Sequence, residues 1–111
     1  VKISKLDRFY VFSLSGCIRW TEARCLEKEV EKLVKRDEVN FIFDLERVKL
    51  ICSGGIGAIV YGMKLANSKR GEAYLVSADC IDYTLKTIGL DVVFENCYFR
   101  SFEELKRELK I

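Results

Sequence analysis

Phe41-Ile42-Phe43 places three large apolar side chains in a row. Side chains alternate across a strand, so a strand built here has no face that water can wet. It must be covered on both faces, or on one face with a hairpin neighbour alongside. The flanking segments can supply that cover. Upstream, Ala23, Leu26, Val30, Leu33 and Val34 recur at three- and four-residue steps, which makes one apolar stripe of a helix. Glu27, Lys28, Glu31, Lys32 and Lys35 lie mostly away from that stripe, and Thr21 is the expected N-cap. Downstream, Ser53 to Lys69 predicts a second helix with Ile56, Ile59, Val60 and Met63 on its buried side. Lys69, Arg70 and Gly71 would close it, with cations at the carbonyl end and the glycine in the left-handed conformation.

The start of the chain changes period. Val1 to Leu6 alternates weakly, Asp7-Arg8 turns, and Tyr10, Phe12 and Leu14 share one face of a second strand, so the pair reads as a hairpin ended by Gly16. Ala73-Tyr74-Leu75-Val76 is a further strand, and Ile81, Leu85 and Ile88 mark a short helix stopped by Gly89. Val92-Val93-Phe94 and Tyr98-Phe99 flank an irregular stretch or short strand. Ser101-Phe102-Glu103-Glu104 is a capping box that opens a last helix with Phe102, Leu105 and Leu109 on its apolar side. Strands alternating with helices build a largely parallel sheet, here with one antiparallel edge from the hairpin. The expectation is one α/β domain over residues 1–111, with a mixed sheet of four to five strands and four helices.

Composition removes several function classes. Nineteen basic against seventeen acidic residues leave a net charge of +2, which makes no electrostatic case for nucleic acid or an anionic membrane as the main partner. Histidine is absent, which excludes an imidazole base or ligand, and proline is absent, which excludes rigid proline-rich recognition segments. Cys17, Cys25, Cys52, Cys80 and Cys97 form no CxxC pair and are odd in number, so they read as free thiols of a reducing compartment rather than a zinc site or disulfide framework. The apolar stretch from Gly54 to Met63 is too short to span a bilayer, and Val1 to Lys5 lacks the apolar core of a signal peptide. A cytoplasmic protein without metal or cofactor is expected.

Ile51-Cys52-Ser53-Gly54-Gly55-Ile56-Gly57 is the least ordinary segment. It leads from the Phe41–Asp44 strand region into the second helix, whose first amides have no internal partners and favour negative charge. Two nucleotide motifs fail there. Gly57-x4-Gly62 continues as Met63-Lys64 rather than Gly-Lys-Ser/Thr, and Gly55-Ile56-Gly57 lacks the third glycine of the dinucleotide fingerprint. The segment is either a tight turn with Ser53 as N-cap or an anion site suited to a phosphate. Cys52, just before a helix N-terminus, is either a small residue filling space or a reactive thiol.

Taken in order, five elements resemble the STAS domain of bacterial anti-sigma factor antagonists over nearly the whole chain. They are Leu14-Ser15-Gly16-Cys17-Ile18, Ile42-Phe43-Asp44-Leu45, Ile51 to Gly57, Gly71-Glu72-Ala73-Tyr74-Leu75-Val76, and Leu85-Lys86-Thr87-Ile88-Gly89-Leu90. The resemblance implies a small αβ domain that is not an enzyme and that binds an anti-sigma factor of the serine/threonine kinase type, freeing a sigma factor. It further implies control by phosphorylation at the second hydroxyl of a D-S-S/T-G turn, where a phosphoryl group adds about −1.5 to −2 charges to the docking surface.

This chain departs from that pattern at the switch. Cys52 stands at the aspartate position and Gly54 at the phosphoacceptor position, so Ser53 is the one hydroxyl left on the turn. Arg19 replaces a common acidic residue before the first helix. The expected partner-binding surface is Asp44, Cys52, Ser53, Gly54, Gly55, Ile56 and Gly57, with Asp44 capping or hydrogen-bonding the turn and Ser53 the candidate acceptor. The alternative is a STAS domain that senses a ligand or acts as a scaffold without phosphorylation. A small cysteine- or carboxylate-dependent catalyst lacks a paired nucleophile and base.

Overall fold

The computed structural model of the protein describes residues 1–77, 86 and 97–111. β1 (Lys2–Leu6) and β2 (Phe9–Ile18) form the hairpin, paired antiparallel from Leu6 opposite Phe9 to Lys2 opposite Ser13. Asp7 makes the turn at a φ of 56°, a left-handed conformation that aspartate tolerates. Arg8 then reaches across to Glu72 at 2.9 Å, tying the turn to the segment that enters the fourth strand.

α1 (Trp20–Lys35) leads to β3 (Phe41–Ile51), and α2 (Ser53–Ser68) leads to β4 (Ala73–Val76). β5 (Tyr98–Phe99) and α3 (Phe102–Leu109) complete the described elements. The sheet order is β1-β2-β3-β4-β5, and every pairing after the hairpin is parallel. This is the mixed sheet anticipated from the sequence. Three helices lie among the described residues, and Ile81, Leu85 and Ile88, expected to mark a further short helix, fall outside them, as do Val92 to Phe94.

The central strand resolves the first question the sequence posed: it is covered on both faces. Phe41, Phe43 and Leu45 face α1 and α2 in one core with Phe12, Leu14, Leu26, Val30, Ile59 and Met63. Ile42 faces the other way, into a smaller core with Phe9, Val11, Val76 and Leu105 of α3. Phe12 and Phe43 stack with centroids 5.2 Å apart, and Phe41 meets both rings edge-on. Aromatic pairs of this kind add about 0.5–1.5 kcal/mol beyond their burial.

Two helix ends differ from expectation. α1 is capped by Arg19 rather than Thr21, because the chain turns directly after Ile18 and the third helical residue, Glu22, accepts from the Arg19 N–H at 3.0 Å. α2 ends at Ser68, one residue early, so the left-handed position falls on Arg70 (φ 64°) and not on Gly71. Gly71 is small for another reason: a Cβ there would overlap the Val39 carbonyl. Its N–H donates to the Ala66 carbonyl at 2.8 Å and closes the helix. At α3, Ser101 Oγ accepts from the Glu104 N–H at 3.1 Å, the serine half of the expected capping box.

β3 runs well beyond Phe41–Asp44. Its first part pairs with both β2 and β4, whereas Arg47 to Ile51 pairs with β2 alone, through register shifts near Ser15 and Cys17. A two-stranded ribbon therefore projects past β4, and the starts of α1 and α2 sit at its tip.

Candidate functional site

The tip of that ribbon is held by main-chain bonds. The Cys52 N–H donates to the Ile18 carbonyl at 2.9 Å, which fixes the end of β3 against the end of β2. Cys52 has extended backbone (φ −79°, ψ 166°), and its Sγ accepts from the Gly55 N–H at 3.4 Å. Its carbonyl also accepts from the Gly55 and Ile56 amides at 3.0 and 3.2 Å. Cys52, not Ser53, is thus the N-cap of α2, and Ser53 is the first helical residue. The chain is already extended at Cys52, the geometry that an N-cap requires.

The seven-residue segment divides by direction. Ile56 is buried in the core beneath α1 and α2, and Gly55 is buried against the Ile18 and Ile51 side chains. A Cβ on Gly55 would come within 2.7 Å of Ile51 Cγ1, so a glycine is required at this crossing. Ser53 and Gly57 are exposed, and a Cβ on Gly57 would meet nothing within 4 Å. Outward-facing Ser53 and Gly57 flank an inward-facing base. With no acidic residue in its first turn, α2 presents the positive end of its dipole and unpartnered first amides at this tip.

Gly54 is the position where a side chain would matter most, and it is occupied from outside. A Cβ there would stand 2.8 Å from Cζ3 and 2.9 Å from Cε3 of the Trp20 ring. The indole at the first position of α1 therefore lies over Gly54, while two-thirds of Trp20 (66%) remains exposed. Sequence reasoning missed Trp20. Its one signal was that the sole tryptophan of the chain sits directly after Arg19, at a strand–helix junction rich in charge.

Asp44 does not join this surface. Alternation sends Phe43 and Leu45 into the α1–α2 core, so the Asp44 side chain emerges on the opposite face of the sheet. Its Oδ1 accepts from the Glu46 N–H at 3.1 Å, so it braces its own strand and not the turn before α2. There it lines an open polar cavity of about 350 Å³ with Lys2, Ser4, Ser13, Glu46 and Arg47. Ser4, Ser13 and Asp44 also border a neighbouring cavity that reaches Phe102 and Lys106 of α3.

Cys17 and Cys25 are exposed, whereas Cys97 is half-buried and burial pushes its thiol above the ordinary cysteine range. Among the described residues, no group of three or more Cys, Asp or Glu is placed to hold a metal ion. None of the described helices is long and apolar enough to cross a membrane. What the geometry offers is a rigid, outward-facing helix start flanked by an aromatic ring, which suits recognition.

Solved structures with this architecture are numerous. SpoIIAA, a Bacillus cell fate determinant in its phosphorylated form, superposes with a TM-score of 0.79 at 15% identity, covering 97% of both chains. An anti-sigma factor antagonist from Mycobacterium paratuberculosis superposes with a TM-score of 0.81 at 19% identity, covering 99% of this chain and 92% of that one. A sulfate transporter family protein from Wolinella succinogenes does so with a TM-score of 0.79 at 16% identity, covering 93% and 85%. At these identities the likeness is one of fold. No curated protein matches the sequence. The STAS domain model, however, matches residues 1–108, and the chain belongs to the STAS domain family.

Proposed function

We propose that this protein is a non-enzymatic interaction module of the anti-sigma factor antagonist type, which binds an anti-sigma factor kinase and so releases a sigma factor. The observation that carries the reading is the head of α2: Ser53 and Gly57 face outward at the tip of the β2–β3 ribbon, on a base that Cys52, Gly55 and Ile56 hold rigid. A preorganised surface of this kind binds with little ordering cost. Similar solved structures, SpoIIAA and the Mycobacterium paratuberculosis protein among them, bear the anti-sigma factor antagonist description in their names, which supports this class of partner. The four described cysteines are free of disulfides, in keeping with action in the cytoplasm.

In this reading the phospho-switch is altered. Gly54 has no hydroxyl, and Trp20 fills the space its side chain would enter. Ser53 is exposed and is the one hydroxyl on the turn, so any phosphoryl control at this surface runs through Ser53. The same observation favours a second reading, in which the chain is a scaffold or ligand-sensing STAS domain with no phosphorylation.

Calorimetric titration with each purified anti-sigma factor kinase from the same genome tests the proposal. Saturable binding that displaces a sigma factor is the expected result, and no binding to any of them overturns it. Mass spectrometry after incubation with the bound kinase and ATP separates the two readings by the presence or absence of phosphate on Ser53.

A further inference from the structure

We infer that Trp20 is the anchor of this docking surface, and that the partner it receives is a polypeptide with an apolar pocket rimmed by carboxylates. The inference rests on the interaction role proposed above and adds the residue and the chemistry that select the partner. Trp20 and Leu50 are the most exposed large apolar residues described, at 66% and 68%, and both lie at the tip of the β2–β3 ribbon. An indole laid against a glycine backbone loses little freedom on binding, and its open remainder is a large area to desolvate. Tryptophan is enriched among residues that dominate interfaces for these reasons.

Charge around the tip supplies the second half of the inference. Arg19 precedes Trp20 and Lys49 precedes Leu50; both are exposed, and neither is ion-paired with a described residue. One carboxylate stands among them: Glu22 accepts from the Arg19 main-chain N–H at 3.0 Å and offsets one of the two cations, whereas Glu46 is turned toward the Phe102 N–H at 3.3 Å. The positive end of α2 adds to the same sign. An acidic partner therefore meets complementary potential here, whereas a basic one meets repulsion.

The test compares the wild-type chain, Trp20→Ala and the double variant Arg19→Glu/Lys49→Glu. Each is titrated with the anti-sigma factor kinases of the same genome at low and high salt, and circular dichroism confirms the fold of each variant. Trp20→Ala is expected to weaken binding at least tenfold. Charge reversal is expected to weaken it as well and to flatten its salt dependence. Emission from the sole tryptophan should move to shorter wavelength as the wild-type complex forms. Equal affinity of Trp20→Ala and wild type overturns the anchor and leaves the proposed function standing. Unchanged or tighter binding after charge reversal overturns the acidic partner. Absence of binding by the wild type to every kinase overturns both this inference and the function on which it rests.

Discussion

Replacing Gly54 by alanine isolates the contact on which the site depends. The added Cβ would stand 2.8 Å from the Trp20 ring, so the indole must swing away. A fully enclosed tryptophan buries roughly 150–250 Å². With 66% of the residue exposed, about a third of that area is at stake, on the order of 1–2 kcal/mol at ~25 cal/mol/Å². Alanine recovers up to about 1 kcal/mol of helix propensity relative to glycine, and less in a first turn. The two effects nearly cancel, so unfolding in urea should change by no more than about 1 kcal/mol. Fluorescence should change far more: with a single tryptophan in the chain, its emission should shift to longer wavelength and its acrylamide quenching should rise. Unchanged emission and quenching in a folded Gly54→Ala variant would refute the packing of Trp20 on this position.

Other perturbations follow from the same geometry. Gly71→Ala should cost about 3 kcal/mol in urea denaturation, because a Cβ there overlaps the Val39 carbonyl and no flexible side chain can yield. Leu105 is wholly buried between α3 and the sheet, so Leu105→Ala should cost about 2–5 kcal/mol and raise hydrogen exchange across Phe102–Leu109 first. Tyr74 is raised above the ordinary tyrosine range, chiefly by burial and then by Glu72. Its folded form holds the proton more tightly than the unfolded chain, so this contribution is fully present below the unfolded pKa of ~10 and is lost as pH climbs from there through the raised folded pKa. Urea midpoints measured from pH 8 to 11 should fall at the upper end, and Tyr74→Phe should lessen the fall. Cys97, raised by burial, has less thiolate at pH 8 than an ordinary cysteine, so iodoacetamide labelling read by mass spectrometry should reach Cys17 and Cys25 well before it.

The architecture was legible because it is written in period. Phe41-Ile42-Phe43 demanded cover on both faces and has it, and the stripes at Ala23–Val34 and Ile56–Met63 became the two helices that supply one side. The last helix was legible through Ser101 and Leu105. Helix ends were less so, since a shift of one or two residues transfers a cap from Thr21 to Arg19, or a left-handed φ from Gly71 to Arg70. The same limit moved the cap of α2 from Ser53 to Cys52.

The site was half legible. A glycine-rich turn announces that backbone comes close to something, but not to what. Trp20 and Gly54 belong to different helices, and only the pairing of Ile18 with Ile51 at the ribbon tip brings them together. Asp44 ends the Phe41–Asp44 stretch that leads toward the turn, which is why the sequence groups the two, yet the strand runs on to Ile51. Strand alternation, with Phe43 and Leu45 inward, places it on the opposite face instead.

Amide chemical-shift mapping of the labelled chain, titrated with an anti-sigma factor kinase that binds it, tests the recognition surface most directly. The largest perturbations should fall on Ser53, Gly54 and Gly57, the Trp20 indole N–H and Leu50. Perturbations confined to α3 and the Asp44 cavity, with the head of α2 silent, would contradict the account.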